Sequence, residues 1–275
     1  MNLWQKSRIL AGKTRRQVNL ENLRRLLKNP YLFISFLRSL RASLKWQKLD
    51  KDTEIEEMPG RLSGVLESDI RELKGYWQEI NDSEEFYEVF DFRWKDLKDE
   101  DVLGGTAGRL DAKFMYVLCR AVKPETVIET GVRYGAFDAH ILAAMEKNGE
   151  GTLYSIDLPE AVKKYELGYL IPDNLRDRWE LRTGDSKEVL PELVEELETV
   201  DIFLHDSLHK PEHMRDEYNS IFPALSGKGV LASHDVFMTD TFQSFADEKG
   251  LDWRRINNLG LGVKIDNKKM EGDEQ

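Results

Sequence analysis

The sequence predicts an α/β fold, a doubly wound and mostly parallel sheet preceded by a helical N-terminal extension. Three observations predict it. Between Val127 and Asp235 four short apolar runs, "TVIETG", "TLYSID", "IFLHD" and "GVLASHD", each lead into a carboxylate or histidine. Each run is followed by a loop and helical text, the pattern of parallel strands joined by crossover helices. The first 49 residues differ in charge from everything after them: twelve Lys or Arg against the single acid Glu21 make this segment +11, leaving −22 on the remainder of a chain whose total is −11.

Strands are expected near 126–130, 152–156, 179–182, 201–205 and 229–233. Helices are expected near 136–147, 159–166, 186–198, 210–222 and 239–248, with a leading helix over Leu110–Val122. "DWRRINN" and "GLGVKI", joined at about Leu259-Gly260, read as a hairpin closing the sheet edge. The domain then spans residues 104–265, and the polar tail 266–275 is expected to be disordered.

Upstream, residues 4–28 read as a helix stopped by Asn29-Pro30. A second helix from Tyr31 to Trp46 places Phe33, Phe36, Leu37, Leu40 and Leu44 on one stripe, with Arg38, Arg41 and Lys45 beside it. A basic amphipathic helix suits an anionic membrane surface, here through residues 31–48; the same stripe also suits packing on the acidic domain or on a second copy of the chain. Nucleic acid is disfavoured, because the remaining surface repels phosphate. Residues 50–103 combine a charged, linker-like stretch over 50–66, with Pro59-Gly60, and a helical region dense in Trp77, Phe86, Tyr87, Phe90, Phe92 and Trp94. Those aromatics are either core or the wall of a substrate site.

One cysteine, Cys119, excludes an internal disulfide framework and fits a reducing, cytoplasmic compartment. Neither a secretory leader nor an apolar run long enough to span a bilayer is visible.

The polar residues at the ends of the predicted strands are the candidate site, since ligands of parallel sheets sit beyond the carboxyl ends of the strands. "VIETGVRYGAF" puts Gly131 and Gly135 at a strand-to-helix turn, where glycine permits a tight turn and a close ligand or packing approach. Val132, Arg133 and Tyr134 fill the positions that a dinucleotide site leaves bare, which disfavours NAD and FAD. Asp157, ending the next strand, is placed to accept from ribose hydroxyls. Asp185 and Ser186 end the third and can accept from the exocyclic amine of adenine, although Asp185 equally suits a helix N-cap. A nucleoside without phosphates fits this set.

"ETGVRYG", "YSID", "TGDS", "DIFLHDSLH" and "GKGVLASHD" together resemble class I S-adenosylmethionine-dependent methyltransferases, in particular the branch of macrolide-sugar O-methyltransferases and cephalosporin hydroxylase-like proteins. The resemblance spans residues 104 to 265 and none of the first hundred. It implies a Rossmann-like methyltransferase fold, S-adenosylmethionine as cofactor, Glu129, Gly131 and Gly135 at its methionine end, Asp157 at the ribose, and Asp185 with Ser186 at the adenine. It further implies O-methylation of a sugar or similar polyhydroxylated small molecule.

Methyl transfer to an alcohol needs the alcohol deprotonated and held in line. Asp206 and Asp235 offer hard oxygen ligands for a divalent cation such as Mg²⁺. His209, three residues after Asp206, offers a general base whose ordinary pKa lies near neutrality. Where the resembled sugar enzymes end the following strand in two acids, this chain has His234-Asp235, and an imidazole ligand shifts the preference towards Zn²⁺, Fe²⁺ or Mn²⁺. Helix capping by the two aspartates, a surface His209 and a core His234 are the competing readings. A metal-independent enzyme using His209 alone, and a catalytically silent partner subunit of the same fold, compete with the metal-assisted one. A lipid-linked glycan acceptor would suit a membrane-bound arm, and a homo-oligomer would bury the N-terminal apolar stripe.

Overall fold

The computed structural model describes residues 60–66, 68–100 and 102–265. The two N-terminal helices expected over 4–28 and 31–46, the basic arm with its membrane or oligomer contact, and the tail 266–275 lie outside the described residues.

Seven strands form one sheet: β1 (Thr126–Thr130), β2 (Thr152–Asp157), β3 (Trp179–Thr183), β4 (Val200–His205), β5 (Leu225–Ser233), β6 (Asp252–Ile256) and β7 (Leu259–Val263). Their spatial order is β3-β2-β1-β4-β5-β7-β6, with β7 antiparallel to both neighbours and every other pairing parallel. The chain order reverses between β1 and β4, so the loops after these two strands diverge and open a crevice between them. The helices are α1 (Ile70–Asn81), α2 (Glu84–Asp99), α3 (Arg109–Val122), α4 (Ala136–Asn148), α5 (Ser186–Leu197), α6 (Pro211–Ile221) and α7 (Thr241–Lys249).

Strand alternation sorts the core into two faces. Ile128, Ile156, Phe203 and Leu231 point one way and pack with Leu190, Leu193, Met214, Tyr218, Ile221, Phe242 and Phe245 of α5, α6 and α7. The opposite parity faces α4, as the bond from Ser155 Oγ to Asp138 Oδ1 (2.7 Å) shows. Central strands β1 and β4 are almost wholly buried, which accounts for their unbroken apolar text.

The structure differs from the sequence expectation in three places. No α-helix follows β2: a 3₁₀ turn over Pro159–Ala161 leads into a loop whose Gly168 and Leu170 amides donate to the Arg133 and Tyr134 carbonyls (3.0 and 2.8 Å). Tethering to the glycine turn wins over helix propensity there, and Trp179 packs so closely on Gly168 that a Cβ would fall 2.5 Å from its ring. The terminal hairpin turns at Asn257 and Asn258, not at Leu259-Gly260, with Asn257 in the left-handed region (φ 53°) that asparagine tolerates. β7 is consequently interior and β6 is the edge. Finally, residues 60–66, expected to be linker, are helical and bury Leu62 and Val65.

The aromatic cluster is core. Phe86, Phe90 and Trp94 stack in series, Arg109 lies over Phe90 and Trp94, and Trp77 packs on Phe114; none of these rings borders the cleft described below. Phe92 alone of the six points outward, 66% exposed. Cys119 is buried, and burial pushes its thiol pKa up, so it packs as an inert small hydrophobe.

Candidate active site

A cleft of about 740 Å³ opens over the carboxyl ends of β1, β2, β4 and β5. Its floor is the turn after β1. Gly131 (φ 95°) lies against the chain leaving β4, where a Cβ would meet the Asp206 carbonyl oxygen at 2.3 Å, so any side chain would force apart the two loops that frame the crevice. Asp157 belongs to the same construction: its Oδ2 accepts from the Arg133 amide and its Oδ1 from the Leu158 amide, both at 2.7 Å. Burial raises its pKa while these two amides pull it back. The carboxylate thus stands at the glycine turn with lone pairs left for a ligand hydroxyl.

Of the residues expected to meet a cofactor, Gly131, Asp157, Asp185 and Ser186 line the cleft, whereas Glu129 and Gly135 do not. Strand alternation turns Glu129 into the core towards Asp138, and burial followed by repulsion from Asp138 raises its pKa well above the carboxylate range. Glu129 is hydrogen-bonded to Asp138, which Ser155 anchors in turn. Gly135 faces away as well: a Cβ there would meet Gly168 Cα at 2.8 Å, so its glycine serves loop packing. Asp185 caps α5, accepting from the Lys187 amide at 3.0 Å, while still bordering the cleft.

At the other end Asp206, His209, His234 and Asp235 meet. One ligand atom each from Asp206, His209 and His234 falls within 4.8 Å of the others, the one such metal-binding grouping of acids, histidines and cysteine among the described residues. His234 Nδ1 lies 2.8 Å from Asp206 Oδ1, and its Nε2 lies 3.5 Å from Asp111 Oδ2 and 3.7 Å from Asp235 Oδ1. Burial opposes a charge on this imidazole, yet the surrounding carboxylates, Asp206 foremost, raise its pKa well above the ordinary value. Asp235 borders the cleft in the left-handed region (φ 53°), and burial raises its pKa too.

His209 corrects an expectation. Its proximity to Asp206 (3.7 Å) was foreseen, but burial lowers its pKa to about 4, so the premise of a base poised near neutrality fails. At pH 7 it is a neutral imidazole with a lone pair to give, the state a metal ligand needs.

Two acids unforeseen in the sequence complete the site. Asp111, buried in the first turn of α3, accepts from Asn257 Nδ2 (2.7 Å), Asn258 Nδ2 (3.1 Å) and the Asn258 amide (3.2 Å), clamping the terminal hairpin beside His234. Glu217, on α6, receives His205 Nδ1 (2.6 Å), Thr130 Oγ1 (2.7 Å), Ser186 Oγ (2.5 Å), Ser207 Oγ (2.8 Å) and His213 Nε2 (2.8 Å). Burial alone would neutralise it, but hydrogen bonds from the two histidines, the His205 charge and Ser186 hold its pKa well below the carboxylate range. The four-residue step from His213 to Glu217 on a helix face was the one available signal. Arg133 reaches from the glycine turn to the Val102 carbonyl (3.4 Å) and lines the cleft together with Gly105, Thr106 and Gly108.

Residues 128–236 match the family model described as a methyltransferase domain. The fold of the chain is shared with a putative caffeoyl-CoA O-methyltransferase from Staphylococcus aureus, at 13% identity and TM-score 0.54 over 71% of this chain and 100% of that one. The O-methyltransferase TomG from Streptomyces achromogenes, solved in complex with SAM, aligns at 12% identity and TM-score 0.51 over 65% and 90% of the two chains. A methyltransferase from Geobacter sulfurreducens aligns at 16% and 0.51 over 64% and 89%. At these identities the likeness to solved structures is one of fold. No curated protein matches the chain. Among the described residues no helix is long and apolar enough to cross a membrane.

Proposed function

We propose that the domain transfers the methyl group of S-adenosylmethionine to a hydroxyl oxygen of a polyhydroxylated small molecule such as a sugar, assisted by a divalent cation. The observation that carries this reading is that one cleft is lined both by the Gly131 turn with Asp157 and by Asp206, His209 and His234. SAM or SAH bound to structural neighbours supports the choice of cofactor.

The residues present fit a cation. Asp206, Asp111 and Asp235 surround His234 with negative charge, so a cation would bind in exchange for the proton these acids draw onto its imidazole, and His209 is held neutral. Two imidazoles and one carboxylate suit Mn²⁺, Fe²⁺ or Zn²⁺ better than Mg²⁺. A cation bound there supplies Lewis-acid stabilisation of the alkoxide.

The chain itself does the rest. Asp157 and the glycine turn orient the ribose, Arg133 and residues 105–108 shut out water, and the cluster after β4 and β5 holds the acceptor oxygen. Asp235, lining the cleft beside His234, receives the acceptor's proton on a carboxylate oxygen as the oxygen attacks the methyl carbon. The S–CH₃ bond breaks with its electron pair kept on sulfur, giving S-adenosylhomocysteine and the methyl ether.

The test is transfer of labelled methyl from S-adenosylmethionine to a panel of sugars, before and after chelator dialysis. Transfer that is lost on dialysis and restored by Mn²⁺ supports the proposal. Transfer indifferent to chelator removes the cation, and binding of no S-adenosyl compound removes the whole reading.

A further inference from the structure

Glu217 has not been given a chemical task. It is 1% exposed and touches no ligand itself, yet three of its five partners, Ser186, Ser207 and His213, line the cleft. An ionised carboxylate only accepts hydrogen bonds, so every one of these partners must donate to it. A serine hydroxyl owns one hydrogen. With the hydrogens of Ser186 Oγ and Ser207 Oγ both directed at Oε1, at 2.5 and 2.8 Å, those side chains have none left for the cleft. The serine lone pairs are what remain. Beside them stands Asp185, whose carboxylate also only accepts.

We infer that Glu217 fixes the hydrogen-bond polarity of this wall, making Ser186 and Ser207 acceptors only, and thereby selects a cofactor base whose facing edge carries an amine. The inference rests on the S-adenosylmethionine reading and deepens it. Adenine offers its exocyclic N–H bonds to such a wall. Hypoxanthine, with a carbonyl oxygen in their place, sets lone pair against lone pair, and a mismatched buried polar pair weakens binding by about tenfold or more. Glu217 is on this account a positioning residue, acting through the hydrogens it holds.

Calorimetry of the full-length protein with S-adenosylhomocysteine and with its deaminated analogue S-inosylhomocysteine tests the inference through the ratio of the two affinities, which a merely structural role would leave unchanged. The wild type should prefer the adenosyl compound by about tenfold or more. Ser186→Ala and Ser207→Ala, which remove an acceptor while keeping the carboxylate, should each lower the ratio severalfold. Glu217→Leu, where it folds, should bring it near unity by freeing the wall's hydrogens. A wild-type ratio under about twofold, or a ratio unmoved in both Ser186→Ala and Ser207→Ala, overturns the inference alone. Binding of neither compound overturns the cofactor reading and the inference with it.

Discussion

Two buried histidines, His140 and His234, show what surroundings do to the same side chain. His140 lies on α4 in a box of Phe86, Phe90 and Tyr87, its Nδ1–H donating to the Ala136 carbonyl at 2.9 Å. Burial, with Lys113 and Arg109 nearby, lowers its pKa to about 3. His234 is almost as buried but stands among Asp206, Asp111 and Asp235, which overcome the same desolvation and raise its pKa well above 6.5. Desolvation is common to both, and the sign of the neighbouring charge decides. The aromatic region is a scaffold bordered by the cations Arg109 and Lys113, and the cleft is a place that gathers acids.

The largest effect should come from breaking the aromatic box. Phe90, fully buried, stacks on Phe86 and Trp94 and carries the Arg109 guanidinium at 5.4 Å. Phe90→Ala should cost about 3–5 kcal/mol in denaturant unfolding while S-adenosylhomocysteine affinity, measured below the unfolding transition, stays close to wild type.

The second prediction uses pH. Because the folded pKa of His140 is about 3 against 6.5 unfolded, the unfolded chain binds the extra proton between these values. Its contribution therefore falls away as pH drops from about 6.5 towards 3, by roughly 1.4 kcal/mol per pH unit at most. His140→Phe should flatten the acid limb of stability measured by urea denaturation; an unchanged limb would place the titration elsewhere. His234 has the opposite sign, its contribution present at low pH and lost only as pH rises through its raised value.

On the charged side, Asp206→Ala should lower kcat/KM about 100-fold or more and abolish stoichiometric Mn²⁺ binding, with circular dichroism unchanged. Retained metal binding would shift the cation to other ligands. The smallest effect belongs to Asp111→Ala, which removes three hydrogen bonds that clamp the 257–258 turn. A loss of about 1–3 kcal/mol is expected, with faster amide exchange at Leu259 and Gly260 as its local signature.

The strand ends were legible in the sequence because apolar runs that stop at Glu129, Asp157, His205 and Asp235 repeat one physical requirement, buried strand followed by wet loop. The segment 158–178 was not, since "PEAVKKYELG" has helical composition and its tether to the Arg133 and Tyr134 carbonyls is a tertiary fact. Alternation along β1 explains why Glu129 faces the core, but the inward side is known only once α4 is placed. Neither Asp111 nor Glu217 ends a strand, so the grammar that exposed Asp206 and Asp235 passed over both. His209 was found by spacing while its pKa was misjudged, because burial is not written in a four-residue motif.

The central claim is that an adenosyl cofactor lies over the Gly131 turn with its sulfur towards Asp206, His209 and His234. A crystal structure with S-adenosylhomocysteine tests it directly. The account predicts ribose hydroxyls on Asp157 and the sulfur facing the Asp206 cluster; a nucleoside bound outside this cleft, or one with its base at the Asp206 cluster, would contradict it.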